Sequence, residues 1–354
     1  MKSFYLSSYN HISMKVAVVG IGVAGAYLMN QLSNIHDVHV EGFERMEEKN
    51  HDAVCAWATC ENVMKDYAKK CGLNFDNYIL HDGKNMTVDI DGNRHIDVNL
   101  KGMISYDKLK LIQDMIKGTK ITFNKAPQKN VLEQDFDLIV DSTGFHRHYL
   151  PKLKDELWIP CIQYKVKYPE NNIPYDDFYL KAFPSLSGYF WYFPLGNGYA
   201  HIGSGDFRRK HTNDFLESFL RKYNCTVIKK VGRPVRITPP SKCLPFSDGK
   251  KTIGVGESIG TVYPLLGEGI IPATICADIF INNFNNLTEY CNKVIDYFKI
   301  YTLVYNFIRL KISNNFNILR NFVDLLKIYS HMKRQEERYG MKIDMMNMFK
   351  LTKI

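Results

Sequence analysis

Three glycines near the start of the chain have the spacing that lets a backbone turn hold a phosphate. Gly20, Gly22 and Gly25 form a Gly-x-Gly-x-x-Gly pattern at the end of the apolar run Lys15–Gly20. The first glycine permits a tight turn, the second lets a pyrophosphate approach the backbone, and the third lets the next helix pack close to the strand. The N–H groups at the start of that helix would face the phosphates. The pattern predicts a dinucleotide site in a β-turn-α-β unit.

An acidic side chain is expected at the end of the second strand of such a unit, where it binds the ribose hydroxyls. The second strand is predicted over Val38–Glu44, so that Glu44 ends it and Arg45 follows directly. We therefore predict both residues as dinucleotide contacts. A carboxylate at this point disfavours a cofactor with a 2′-phosphate, but the glycine turn alone does not separate NAD from FAD.

Two later segments of the sequence distinguish between NAD and FAD as the cofactor. The predicted strand Phe136–Asp141 ends in Ser-Thr-Gly, and Val255–Gly260 is followed by Pro264-Leu-Leu-Gly-Glu-Gly-Ile270. In this order they resemble the Ala-Thr-Gly and G-D-A-A-G … P-x-x-G-x-G-I segments of the p-hydroxybenzoate hydroxylase-like flavoprotein superfamily, with Glu257 replacing the usual Asp. The resemblance implies FAD, a ribityl contact from Glu257, and a glycine turn whose N–H groups back the isoalloxazine. The implied cofactor contacts are Thr143, Gly144, Gly256, Glu257, Gly267, Gly269 and Ile270.

An aromatic segment in the middle of the chain points to one branch of that superfamily. Tyr189-Phe-Trp-Tyr-Phe-Pro-Leu-Gly196 resembles the Y-x-W-x-F-P-x-G substrate-contact motif of the geranylgeranyl reductase (digeranylgeranylglycerophospholipid reductase-like) family. Tyr189, Trp191 and Phe193 have a period of two and therefore share one face of a strand. The resemblance implies that these three residues and Pro194 border a lipid pocket beside the flavin.

The same resemblance implies a reaction, in which reduced FAD transfers hydride to the C=C bonds of a prenyl (geranylgeranyl) chain. The substrate class would be an isoprenoid lipid such as an archaeal membrane lipid, and NAD(P)H or a ferredoxin-like protein would be the electron donor. An acid must protonate the second alkene carbon, and Cys55 and Tyr189 are the candidates. Cys55 follows the ribose-binding strand, where prenyl reductases carry a Cys-Gly-type segment.

The elements that must position these residues indicate an α/β protein. We predict a Rossmann-type FAD-binding domain over residues 14–157 and 240–285, interrupted by an antiparallel-sheet substrate domain over 158–239 that is rich in Tyr, Phe and Pro. Residues 286–354 have a helical period and form the C-terminal region. The polar segment 1–13 shows no pattern; we expect it to be disordered or to precede the true start.

Composition sets further limits. The 354 residues carry a formal charge of +9, and residues 281–354 hold 12 Lys or Arg against six Asp or Glu. This balance favours phosphates or anionic headgroups, while no motif supports nucleic-acid binding. The eight cysteines lack zinc-ligand spacing, so no metal site is predicted. With neither a signal peptide nor a membrane-spanning apolar run, we expect a cytoplasmic protein that contacts the inner face of the membrane peripherally.

Two other functions are compatible with these motifs. One is a flavin monooxygenase or halogenase acting on an aromatic substrate, although the Asp-Gly-x-x-Ser-x-x-Arg segment of the hydroxylases is absent around Asp141–Arg147. The other is a non-catalytic flavin-binding protein that transfers electrons. Anaerobic oxidation of the reduced protein by a prenyl lipid would distinguish the reductase from both.

Overall fold

The computed structural model describes residues 13–51, 55–210 and 212–352. Most of the segment 1–13, for which disorder or an earlier start is expected, lies outside these ranges. The strands are β1 (Met14–Val19), β2 (Val38–Phe43), β3 (Ala58–Cys60), β4 (Ile79–Asp82), β5 (Asn85–Asp89), β6 (His95–Asn99), β7 (Met103–Tyr106), β8 (Ile121–Thr122), β9 (Leu138–Asp141), β10 (Trp158–Lys167), β11 (Phe178–Ala182), β12 (Gly188–Gly196), β13 (Tyr199–Asp206), β14 (Thr226–Arg236) and β15 (Thr252–Gly254). The helices are α1 (Val23–Leu32), α2 (Glu61–Lys70), α3 (Lys108–Ile116), α4 (Lys129–Asp135), α5 (Thr212–Lys222), α6 (Ile270–Asn282), α7 (Leu287–Tyr297), α8 (Lys299–Ile312), α9 (Ile318–Arg334), α10 (Glu336–Tyr339) and α11 (Met345–Thr352).

A five-stranded parallel sheet in the order β15-β9-β1-β2-β8 carries the glycine turn. Its central strand is apolar on both faces, as parallel sheets covered by helices require. Val16 and Val18 lie in the main core with α1 and α6, whereas Ala17 and Val19 pack in a separate cluster with Leu132 of α4. The sheet is completed by β15, from a chain segment more than 100 residues beyond β9.

A seven-stranded sheet in the order β14-β10-β13-β12-β11-β5-β6 forms the second layer. Its pairs are antiparallel except β11 with β5, which run parallel. Through that pair the hairpin 85–99 joins the second sheet, although the sequence-based boundary assigned it to the first domain. Hydrophobic alternation identifies a hairpin but not the partner of its outer strand, which explains the difference.

The remaining parts complete the architecture. Strands β3, β7 and β4 make a small antiparallel sheet whose strands β4 and β7 contact β12, and α7–α11 form the helical C-terminal region. The predicted fold class is therefore confirmed: a Rossmann-type parallel sheet, an inserted antiparallel sheet and C-terminal helices. No helix in the described ranges has both the length and the apolar character needed to cross a membrane.

Candidate active site

The two large sheets and the C-terminal helices enclose a cavity of about 930 Å³ whose lining is mainly apolar. This volume is at the upper end of the roughly 300–1,000 Å³ that ligand sites occupy. The cavity is continuous from the glycine turn to the aromatic strand β12. Within the described ranges, no group of three or more His, Cys, Asp or Glu side chains could hold a metal ion.

The three glycines of the glycine turn have different structural roles. Gly20 has a positive φ of 90°, and a Cβ there would lie 2.6 Å from the carbonyl oxygen of Ser142. A Cβ on Gly25 would lie 2.0 Å from the carbonyl oxygen of Gly20, so this glycine permits the close packing of α1 on the turn. Gly22 lines the cavity, and nothing lies within 4 Å of the Cβ it lacks. The glycine turn thus leaves open space next to the unpaired backbone N–H groups at the start of α1.

Glu44 is held at the same end of the cavity by backbone hydrogen bonds. Its carboxylate accepts from the N–H of Ile21 at 2.8 Å and from the N–H of Met46 at 2.9 Å. His51 places its Nε2 3.8 Å from Glu44 Oε2. Glu44 is largely buried, and it lines the cavity together with the exposed Arg45. The carboxylate is therefore oriented in advance, as a ribose-binding acid must be.

The turn after β9 also reaches the cavity. Asp141 Oδ1 accepts from the N–H and the hydroxyl of Thr143 at 3.0 and 2.6 Å. These bonds fix the turn, and Thr143 and Gly144 line the cavity. Gly144 has a φ of 64°, and a Cβ there would lie 3.2 Å from Glu257 Oε2. The two predicted flavin segments are therefore neighbours in space.

Glu257 lies in the cavity wall between two arginines. Its Oε2 accepts from Arg233 Nη2 at 2.6 Å, and its Oε1 accepts from the backbone N–H of Arg236 at 3.0 Å. Each carboxylate oxygen can accept a further hydrogen bond, so a ligand hydroxyl remains compatible with this arrangement. Arg233 also lines the cavity, and the sequence reasoning did not predict it. Strand β14, which carries Arg233, mixes lysines with Val and Ile and lacks a regular hydrophobic alternation. The sequence therefore did not indicate which of its side chains face the cavity.

The segment 264–270 forms the far wall of the cavity. Its turn is closed by two hydrogen bonds, from the N–H of Gly267 to Tyr263 O at 2.9 Å and from the N–H of Tyr263 to Glu268 O at 2.8 Å. Gly267 has a φ of 62°, and Gly269 is the N-terminal cap of α6. The N-terminus of α6 thus meets the cavity and contributes a partial positive charge there.

A largely buried ion pair connects this turn to the C-terminal region. Arg338 Nη1 of α10 donates to Glu268 Oε2 at 2.8 Å, and the guanidinium lies 4.4 Å from the ring centre of Tyr339. Burial raises the pKa of Glu268, although the positive charge of Arg338 opposes the shift. Both side chains line the cavity. No sequence signal pointed to Arg338, because its partner is 70 residues away along the chain.

Strand β12 presents its aromatic stripe to the cavity. Tyr189, Trp191 and Phe193 all line it, and the hydroxyl of Tyr189 donates to the carbonyl oxygen of Leu266 in the α6 turn. Burial raises the pKa of Tyr189, which therefore keeps its proton at neutral pH. The alternate residues face a second core beneath α5, where Phe190 and Tyr192 pack on Phe219.

Three predicted binding residues do not line the cavity. Pro194 was predicted as a substrate contact, but strand alternation turns it to the other side from Phe193, and its carbonyl accepts from the Ser105 hydroxyl. Gly25 lies behind the turn. Gly256 sits between helices: a Cβ there would be 3.3 Å from Ala24 Cβ and 3.5 Å from that of Ala273. Both glycines act through close packing of α1 and α6.

Three cysteines, Cys55, Cys60 and Cys161, line the cavity. Cys55 is half-buried, and its Sγ accepts from the N–H of Trp57 at 3.5 Å. Cys60 is buried, and its thiol donates to the carbonyl oxygen of Glu337. Burial raises the pKa of Cys60. Cys161 is half-buried, and its thiol donates to the carbonyl oxygen of Ile159 at 3.6 Å. Cys55 and Cys161 are therefore both more exposed than Cys60.

Comparison with known proteins agrees with this fold. No family model matches the chain. Over 124 residues it is 33% identical to digeranylgeranylglycerophospholipid reductase 2 of Methanothermobacter thermautotrophicus; the match covers 34% of this chain and 31% of the relative. The structure of a geranylgeranyl bacteriochlorophyll reductase-like protein from Thermoplasma acidophilum aligns over 95% of both chains, with a TM-score of 0.68 and 15% identity. A triple mutant of a flavin-dependent brominase aligns over 88% of this chain and 93% of its own, with a TM-score of 0.61 and 12% identity.

These likenesses define the class. The chain has the fold of FAD-dependent oxidoreductases, a fold shared by reductase-like proteins, halogenases and monooxygenases. The curated relative is similar over less than a third of its own length. A match of this length does not identify the reaction.

Proposed function

We propose that this protein binds FAD and reduces prenyl C=C bonds of an isoprenoid lipid. The observation that carries the proposal is the single cavity that joins the glycine turn to the aromatic face of β12. One end has the parts of a dinucleotide site and the other has an apolar wall. The partial similarity to a digeranylgeranylglycerophospholipid reductase supports the choice of substrate class.

The described residues fit FAD at four points. The open space at Gly22 would take the pyrophosphate, and the pre-oriented Glu44 would take the ribose hydroxyls. Glu257 would accept from the ribityl chain, and the turn at Gly267 would lie against the ring system. When bound and reduced, FAD supplies a hydride and is left oxidised.

An isolated alkene carries no charge by which an enzyme can hold it, so it must be positioned by apolar burial. Trp191 and Phe193 line the cavity with Met86, Val88 and Leu180 of neighbouring strands. Burial of apolar surface is worth about 25 cal/mol per Å². A long prenyl chain therefore gains affinity along the whole wall, and the reacting bond is oriented by its neighbours.

The second alkene carbon needs a proton. Tyr189 keeps its proton but directs it to the carbonyl oxygen of Leu266. The thiol of Cys55 is accessible from the cavity, and the hydrogen bond from Trp57 leaves the S–H free to rotate toward a ligand. Cys55 is therefore the better-placed donor of the two candidates.

The test is anaerobic. The purified protein, reconstituted with FAD and reduced with dithionite, is mixed with a geranylgeranyl lipid, and the visible absorbance of the oxidised flavin is followed. Return of that absorbance together with a saturated product would support the proposal. In a Cys55→Ala variant the flavin would still bind and be reduced, but its reoxidation by the lipid would slow about 100-fold, the scale of a lost general acid. Tyr189→Phe is the matched control and should react at close to the wild-type rate.

Other outcomes would contradict the proposal. Reduced protein that ignores the lipid but reacts with O₂ only when an aromatic substrate is present would be a monooxygenase or halogenase. Flavin that binds and exchanges electrons with a carrier, but turns over no substrate, would indicate an electron-transfer protein. Failure to bind FAD at all would refute the assignment of the glycine turn.

A further inference from the structure

A cluster of exposed apolar side chains lies at the C-terminal end of the molecule. We call it the α9–α11 patch: Ile318, Leu319, Phe322 and Val323 of α9, with Met345 and Met346 of α11. Leu319 is 86% exposed, Met346 67% and Val323 61%. The described residues include 13 exposed large hydrophobic side chains, and six of them are in this patch. Scattered exposed leucines need no explanation, but a cluster on two adjacent helices does.

The patch is one continuous surface. Leu319, Phe322 and Val323 have helical spacing and share the outer side of α9, while Leu325 and Ile328 are buried on its inner side. The ring of Phe322 stacks on that of Phe349, at 6.2 Å between centroids and 15° between planes. This contact joins α9 to α11, one turn beyond Met345. The two helices therefore present their apolar residues together.

Basic side chains flank the apolar stripe. Arg320, Lys327 and Arg334 follow one another at intervals of seven residues, so they lie along one edge of α9, and all three are exposed. Lys350 is exposed on α11. An amphipathic helix with an apolar face and a Lys/Arg edge is the pattern of helices that lie in the interface of an anionic bilayer. This charge complementarity favours a lipid surface as the occupant of the patch.

The same helices also form a wall of the cavity. Asn347, Met348 and Leu351 of α11 and Met332 of α9 line it. The outer side of these two helices thus carries the surface patch, and other residues of the same helices line the cavity. A lipid that enters at this end of the molecule would therefore meet the cavity wall directly.

From these observations we infer that the α9–α11 patch docks the protein on an anionic lipid bilayer and admits the isoprenoid substrate from it. The docking depends only on the patch, whereas the admission of substrate rests on the proposed function. Leu319 and Val323 insert among the headgroups, and Arg320 and Lys327 pair with their phosphates. A surface covered by a second copy of the chain is the competing arrangement.

The experiment uses the whole protein and sedimentation with vesicles of phosphatidylcholine containing phosphatidylglycerol. The patch variant is Leu319→Glu/Val323→Glu, and the matched control is Ile173→Glu, which changes an apolar residue that is 55% exposed elsewhere. We expect the patch variant to bind at least tenfold more weakly than wild type, and the control to bind like wild type. Arg320→Gln/Lys327→Gln should lose affinity only for the anionic vesicles, and added salt should remove the difference.

Three results would overturn the inference: no binding of the wild-type protein to vesicles, equal binding of wild type and patch variant, or a wild-type dimer that Leu319→Glu/Val323→Glu converts to a monomer. Circular dichroism confirms that each variant is folded. The rate of lipid reduction then distinguishes the docking proposal from the proposed function. If both proposals hold, the patch variant reduces detergent-dispersed prenyl lipid at the wild-type rate but vesicle-embedded lipid at least tenfold more slowly. Vesicle binding without turnover of either form would contradict the proposed function and leave the docking supported.

Discussion

Two alanine substitutions in the glycine turn should separate stability from cofactor binding. In Gly25→Ala the new methyl group would lie 2.0 Å from the carbonyl oxygen of Gly20, a backbone atom that cannot rotate away. Alanine gains about 1 kcal/mol over glycine in helix propensity. Overpacking costs about 1–3 kcal/mol and more where the backbone must shift. Since the clash exceeds an ångström, we place the cost toward the upper end of that range. After the gain of about 1 kcal/mol is subtracted, the free energy of unfolding should fall by about 1–2 kcal/mol.

Gly22→Ala is the matched change. Gly22 has a φ of −75°, which alanine adopts freely, and its new Cβ would meet no atom within 4 Å. The fold should therefore be unaffected. The methyl group would instead occupy the place where a pyrophosphate approaches the N–H groups of α1. Loss of one hydrogen bond to a charged group costs about 1.5–3 kcal/mol, so FAD should bind about 10- to 100-fold more weakly.

The assays are scanning calorimetry of the FAD-free proteins and a titration that follows quenching of flavin fluorescence. Gly25→Ala should lower the Tm by a few degrees, whereas Gly22→Ala should leave the Tm unchanged and weaken binding. Equal loss of Tm in both variants would refute the assignment of separate roles. Wild-type affinity for FAD in Gly22→Ala would refute the position of the pyrophosphate.

Two further predictions concern the C-terminal helices. In Arg338→Met the carboxylate of Glu268 loses its cation; because breaking a largely buried pair costs about 3–5 kcal/mol, the Tm should fall markedly, and the double variant with Glu268→Gln should recover part of the loss. Identical unfolding of the single variant and wild type would contradict this. His331 has its pKa lowered to about 4, by burial and by the nearby Arg338 and Arg334. Because the unfolded chain takes up a proton below about pH 6.5 that the folded chain refuses, stability should fall as the pH drops from 6.5 toward 4. Denaturant unfolding of His331→Gln should show a flatter profile across that window, and parallel profiles would exclude the assignment.

The parts of the site that could be predicted are those built from consecutive residues. The turn at Gly20–Gly25 follows from one short apolar run and three glycine positions, because the positive φ of Gly20 and the close approach of Gly25 to the carbonyl oxygen of Gly20 are local. The stripe at Tyr189, Trp191 and Phe193 follows from the two-residue period of a strand. The same period, applied one residue further, would have excluded Pro194. The prediction of Pro194 as a substrate contact followed the aromatic motif and not the alternation of the strand.

The parts that could not be predicted depend on pairing between distant segments. Arg233 reaches Glu257 only because β14 pairs with β10 along its whole length, and nothing in a lysine-rich segment specifies that partner. The hairpin 85–99 is clear from its alternation, but its parallel pairing with β11 is a tertiary choice. Hydrophobic periodicity indicates which residues of a strand are buried, but it does not determine which other strand pairs with each of its edges.

The ion pair between Glu268 and Arg338 shows why the C-terminal helices belong to the site. A lone carboxylate beside the turn at Gly267 would repel any negative charge that a ligand develops there. Arg338 cancels that charge across 2.8 Å. The dipole at the N-terminus of α6 then remains the main electrostatic influence at this wall, and its sign is positive. The C-terminal helices therefore close the cavity and also set the charge that its far wall presents to a ligand.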